Sequence, residues 1–184
     1  KTFQAHMHRR VREHLIVALG NIGDKRATTL LIEVLEARDD HGLDHTTDYS
    51  ALALGKIGDE RAIEPLIQLG GTDSAVWALG KIGGERAIEY LIKMLEGGSG
   101  NVLLKAIEPL NQTGNNRVLN ATIKLMVRSR QSRTITKATE EIVEFWGSRA
   151  VESLIEELNN DEPGRMQAAV ALGRIDDDRA VKPL

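Results

Sequence analysis

Apolar residues recur along this chain at helical spacing, and each run is broken by a short polar turn. Val11, Leu15, Ala18, Leu19 and Ile22 fall at i, i+4, i+7, i+8 and i+11, one face of a helix, expected to be buried. A break at Gly23-Asp24 follows. Ala27, Leu30, Leu31, Val34 and Leu35 then trace a second helical face, and Ala62, Ile63, Leu66, Ile67 and Leu69 repeat it later. Gly at the end of the first helix suits a left-handed C-cap, and the Asp after it suits an N-cap for the next. Pro65 sits within the first turn of its helix, where a missing N–H costs least.

The turn itself repeats. Ala18-Leu19-Gly20-Asn21-Ile22-Gly23-Asp24-Lys25-Arg26-Ala27 returns as Ala53-Leu54-Gly55-Lys56-Ile57-Gly58-Asp59-Glu60-Arg61-Ala62. It returns again from Ala78 to Ala87 and from Ala171 to Ala180. Weaker copies run through Leu110 to Val118 and Trp146 to Val151. The six aligned arginines (Arg26, Arg61, Arg86, Arg117, Arg149 and Arg179) are spaced by 35, 25, 31, 32 and 30 residues, a period of about 31. An insertion around residues 38–44 lengthens the first step, and a deletion around Gly70-Gly71 shortens the second. One helical hairpin cannot cover its own apolar stripes, whereas stacked hairpins share a continuous core. The pattern therefore predicts an all-α fold, a right-handed α-solenoid of about six helical hairpins, as a single domain over residues 1–184. The recurring Gly in Ala-Leu-Gly is a poor helix former, which predicts that neighbouring helices approach too closely there for a Cβ. Lys1 at the start and Val181-Lys182-Pro183-Leu184 in mid-helix at the end read as a piece of a longer protein.

Composition changes this picture little. Aromatics are only 3% of the 184 residues, in keeping with a core of Leu, Ile, Val and Ala between helices. There is no cysteine, which excludes disulfides, thiolate metal sites and a cysteine nucleophile and fits a reducing cytoplasm. No apolar run reaches the roughly 18 residues a membrane span needs. A formal charge of −3 argues against a surface devoted to nucleic acid.

The run Ala53 to Ile67, Ala-Leu-Gly-Lys-Ile-Gly-Asp-Glu-Arg-Ala-Ile-Glu-Pro-Leu-Ile, resembles the HEAT-like repeat first associated with phycobilisome lyases. The resemblance covers almost the whole chain and weakens over residues 102–147. It implies an α-solenoid. Its members include bilin lyase subunits, deoxyhypusine hydroxylase and many scaffold proteins, so it does not choose among functions. Hydroxylases of this type carry His-Glu dipeptides at an iron pair. None of His6, His8, His14, His41 and His45 is followed by Glu, and no physiological metal site or cofactor is expected.

No Gly-x-Ser-x-Gly, phosphate loop or His-Glu-x-x-His signature is present, and the chain is expected not to be an enzyme. The six turn arginines read as structural staples, held by carbonyls at the end of the preceding helix and by a neighbouring acid such as Asp24 or Asp59. Residues 117–137 hold six Lys or Arg and no acid. Arg128, Arg130 and Arg133 form a candidate anion site, opposed by the reading that this loop faces the acidic stretch 140–157. The concave wall is expected along the helices that end in Ala-Leu-Gly. Its non-core positions include Asp48, Tyr49, Leu52 and Lys56, then Asp73, Ser74, Trp77 and Lys81. Tyr49, Lys56, Trp77 and Lys81 form the candidate partner site: two aromatics and two cations suited to a peptide. Trp77 equally reads as filler for the shortened repeat. The expected function is a non-catalytic module binding a protein or peptide on that face. The alternatives are an accessory subunit of bilin-lyase type acting on a cofactor-bearing protein, and anion or nucleic-acid binding through the basic segment.

Overall fold

The computed structural model describes residues 9–37, 45–96, 107–108, 110–111, 113–160, 164–175 and 177–180. Residues 38–44 and 181–184, which carry the proposed insertion and the cut final helix, lie outside them. The described residues are helical with short 3-10 turns. Contacts group the chain into two compact units, Lys1–Ile88 and Glu89–Leu184.

The first unit contains α1 (Arg9–Ile22), α2 (Thr28–Glu36), α3 (Thr46–Ile57), α4 (Ile63–Leu69) and α5 (Asp73–Ile82). The next helix, α6 (Gly84–Glu96), runs on into the second unit. Helices α1, α3 and α5 pack side by side in order, α2 packs on α3, and α4 packs on α5. This is a row of helical hairpins, as the repeat requires. Its core is aliphatic: Leu31, Leu35, Leu54, Leu66 and Leu79 are fully buried. The Ala-Leu-Gly glycine does what its recurrence suggests. A Cβ on Gly20 would lie 2.7 Å from the Ala53 Cα, and one on Gly55 would lie 2.7 Å from the Ala78 Cα. Each glycine is a seat for the alanine of the equivalent helix in the next repeat.

The burial of α1 differs from the sequence expectation. Ile16 is buried, but Val11, Leu15, Ala18 and Ile22 of the predicted core stripe are exposed. The same register in α3, Thr46, Ser50, Ala53 and Ile57, is buried because α1 covers it. Periodicity identifies an apolar face; whether a neighbour lies against it is a tertiary matter.

The second unit holds α7 (Asn116–Arg128), α8 (Ser132–Glu141), α9 (Val151–Asn159) and α10 (Arg165–Arg174). Helix α7 pairs with α8 and α9 with α10. A π-helical turn, Ile142–Trp146, continues α8 and leads into the 3-10 turn Gly147–Ala150.

The hairpin turn has one local mechanism. Gly58 takes the left-handed conformation (φ 68°, ψ 31°) and closes α3. Asp59 then extends, and its side chain accepts from the Arg61 backbone N–H at 3.1 Å. Asp24, Asn115 and Asp177 cap Arg26, Arg117 and Arg179 in the same way.

Candidate functional site

Three of the turn arginines, Arg61, Arg149 and Arg179, bond the turn of the preceding repeat. The Arg61 Nε and Nη2 donate to the Asp59 carboxylate, and Nη2 also donates to the Lys25 carbonyl of the previous repeat's turn at 2.9 Å. Arg179 likewise reaches Asp177 and the Ser148 carbonyl (2.8 Å), and Arg149 reaches the Gly114 carbonyl (3.1 Å). These carbonyls lie in the preceding repeat's turn, whereas the sequence reading placed them at the end of the preceding helix. Arg86 pairs with Glu64 of the preceding repeat at 2.8 Å. Asp59 is buried and also accepts from the Thr28 hydroxyl at 3.0 Å. The Arg61 side chain, hydrogen-bonded to it, holds the Asp59 carboxyl well below the usual carboxylate range, outweighing the desolvation that would raise it. Arg179 does the same to Asp177.

On the wall formed by α3 and α5, Tyr49 and Trp77 are half-buried, and Lys56 and Lys81 are exposed. Trp77 lies back across α3, with its Cζ3 2.9 Å from where a Gly55 Cβ would stand. The Lys81 ammonium is 6.0 Å from the centre of the Trp77 ring, at the outer limit of a cation–π contact. The Lys56 Nζ donates to the Asn21 Oδ1 of the preceding repeat at 2.8 Å. Ser74, read from sequence as a wall residue, is buried, and its hydroxyl donates to Asp48 at 2.5 Å. The α5 helix begins one residue after Thr72, whose hydroxyl accepts from the Ala75 N–H, so this short repeat places Ser74 against α3.

In the second unit Arg128, Arg130 and Arg133 are exposed around the α7–α8 loop. Arg128 and Arg130 line a hollow of about 190 Å³ with Leu95, Glu96, Lys124 and Gln131. Two other cations of the basic segment are neutralised. Lys124 pairs with Glu96 at 3.6 Å, and Lys137 pairs with Glu141 at 2.6 Å. The acid opposite Lys124 comes from α6, a helix the sequence reading did not consider.

A buried polar cluster escaped the sequence reading altogether. Asn111 stands at the register of the Ala-Leu-Gly glycine and is fully buried. Its Oδ1 accepts from the Trp146 indole N–H at 2.9 Å, and its amide donates to Glu141 at 3.1 Å. Arg149 lies over the Trp146 ring, 4.7 Å from its centre. Where other repeats bring backbone against a glycine, this one inserts a side chain, and the following helix widens into its π turn. The replacement of Gly by Asn within a weak copy was the available signal. Among the described residues no group of three or more His, Asp or Glu is arranged to hold a metal ion. His6, His8 and His41 lie outside those residues.

The fold defines a class: an all-α protein of stacked helical hairpins. Comparison with known families gives the particular kind. Residues 2–75 match the family described as HEAT repeats, and residues 73–97 match the PBS lyase HEAT-like repeat. Residues 2–97 thus consist of HEAT-like repeats, with a repeat of PBS lyase type over residues 73–97. No curated protein sequence matches it. A solved structure that does is described as the complex of CpcE and CpcF of phycocyanin lyase from Nostoc sp. PCC7120. It is 20% identical, the match covers 95% of this chain and 79% of that one, and the TM-score is 0.54. This likeness corrects the expectation that the chain is not an enzyme, because the structure it resembles is that of a lyase. The absence of familiar nucleophile and phosphate-loop signatures was too narrow a ground for that expectation. No described helix is long and apolar enough to cross a membrane.

Proposed function

We propose that this chain is a subunit of bilin-lyase type, which holds a bilin-bearing or bilin-receiving protein against the wall of α3 and α5. The observation that carries this reading is where Trp77 lies. It is half-buried beside Lys81, within the 73–97 stretch that matches the PBS lyase repeat. The likeness to the phycocyanin lyase complex supports it. A half-buried tryptophan with a cation beside it offers an apolar anchor with an acid-seeking rim, and tryptophan is among the residues most enriched in protein-binding hot spots. Tyr49 and Lys56 extend the same surface along α3. A cytoplasmic setting goes with this reading, since the chain holds no cysteine.

The test uses phycocyanin subunits, with and without bilin, as probes. Binding is measured by surface plasmon resonance, and bilin attachment or removal by visible absorbance. The expected result is a complex that Trp77→Ala weakens by about 2 kcal/mol, roughly thirtyfold, with little change in thermal stability. No complex with either form, together with no effect on bilin attachment, would sink the proposal. A loss of roughly 3–5 kcal/mol of stability in the same variant would make Trp77 a packing residue and remove it from the site.

A further inference from the structure

On α3 and α5 the wall carries the same three kinds of side chain at the same three heights. Counted from the Ala-Leu-Gly glycine, Asp48 and Asp73 stand seven residues before it, Leu52 and Trp77 three before, and Lys56 and Lys81 one after. A spacing of four residues keeps each set on one helical face. Both acids and both lysines are exposed, and Leu52 and Trp77 are half-buried between them.

Contacts from helix to helix show that the sets line up. The Ser74 hydroxyl, beside Asp73 at the start of α5, donates to Asp48 at 2.5 Å, and Trp77 lies back on Gly55 of α3. Lys56 donates at 2.8 Å to Asn21, which holds the same position on α1. The wall therefore has an apolar rail, with an acidic rail along one side and a basic rail along the other. The repeat does not require this: α10 has Met166 where α3 and α5 have an acid.

We propose that these rails seat one amphipathic α-helix of the partner protein, laid across α3 and α5. Its apolar stripe rests on Leu52 and Trp77, its acids face the lysines, and its bases face the aspartates. This rests on the reading that a protein is held on this wall, and adds the element by which it is held. Two lengths select a helix over an extended strand. Eight residues separate each aspartate from the lysine on its own helix, about 12 Å along the axis. A helix with its side chains is about 10–12 Å across and touches both charged rails at once. A strand occupies about 5 Å in its plane and presents backbone, not charge, along its edges. Packed helices lie about 8–10 Å apart and seven helical residues rise about 10 Å, so anchors one heptad apart meet Leu52 and Trp77 in turn. Turning the partner helix end for end brings like charges together, so the rails also set its direction.

The probe is a designed three-heptad peptide with a leucine stripe, glutamates on one flank and lysines on the other. Binding to the full chain is read by fluorescence anisotropy and peptide helicity by circular dichroism. The peptide should gain helix on binding, and its affinity should fall as salt rises. A second peptide carries lysine on both flanks. The double variant Lys56→Glu, Lys81→Glu, at two exposed positions, should weaken the first peptide at least about tenfold and strengthen the second by a similar factor. A damaged fold cannot produce that exchange. Failure of the first peptide to bind, binding without a gain of helix, or affinities indifferent to the double variant each overturns the proposal. A phycocyanin complex that forms while the first peptide does not bind removes the helix seat and leaves the lyase-type reading standing. Peptides that behave as expected with no phycocyanin complex remove that reading and leave the helix seat.

Discussion

Two glycines of identical local sequence are expected to answer the same substitution with opposite signs. Gly55 and Gly173 both end an Ala-Leu-Gly run inside a helix, where Ala is intrinsically better by roughly 0.5–1 kcal/mol. At Gly55 a methyl would meet backbone at 2.7 Å and the Trp77 ring at 2.9 Å, neither able to swing aside. Gly55→Ala should therefore destabilise by about 1–3 kcal/mol, measured by urea unfolding. Gly173→Ala, where a methyl meets nothing within 4 Å among the described residues, should leave the monomer unchanged or slightly stabilised. Asp59 gives the second test. Its carboxyl is depressed in the folded state, so its contribution is full above the unfolded value, about 3.9, and is lost as pH falls toward the folded one. Asp59→Ala should cost about 1–2 kcal/mol at pH 7, as lost N-caps do. The gap to the parent should narrow from pH 5 to pH 3; a gap that widens on acidification would contradict the assignment.

At the scale of elements, the weak copies differ in kind from the strong ones. Between the helix bearing Asn111 and the π turn Ile142–Trp146, contact is made by a buried amide, an indole and a carboxylate. Such a cluster stabilises only while every member is satisfied. Trp146→Phe keeps the ring and its place under Arg149 but removes the donor to the Asn111 Oδ1. It should cost about 1–3 kcal/mol, the usual penalty for a buried group left unpaired, with the helical content unchanged. A neutral Trp146→Phe would mean that the amide finds another donor. This cluster was not legible because the reading looked for the repeat, and a degenerate copy shows only as loss of pattern. What replaces the pattern is decided by which side chains meet across two helices about 30 residues apart.

At the scale of a whole unit, a row of hairpins has nearest-neighbour stability: each helix is held by what lies on its two sides. In the first unit α3 is covered by α1 and α5, whereas α1 leaves its Val11, Leu15 and Ile22 face open. Hydrogen exchange at concentrations where the chain is monomeric should therefore show residues 46–57 protected well beyond residues 11–22. Equal protection of the two helices would argue against a nearest-neighbour row.

The sequence by itself determined the helices, their turns and the fact of stacking. It could do so because each signal is local or periodic: a helical face, an Asp that caps the next N–H, a glycine too frequent for a helix that packs loosely. The Gly20 and Gly55 seats and the Asp59–Arg61 turn follow from those signals alone. Tertiary structure decided which faces are covered. The α1 stripe and the α3 stripe share a register, and only the second has a neighbour. It decided that Ser74 turns inward to Asp48, that Trp77 leans on Gly55, and that Asn111 joins Trp146. Burial and pairing are properties of two segments distant in the chain, and a one-dimensional pattern reports each segment separately.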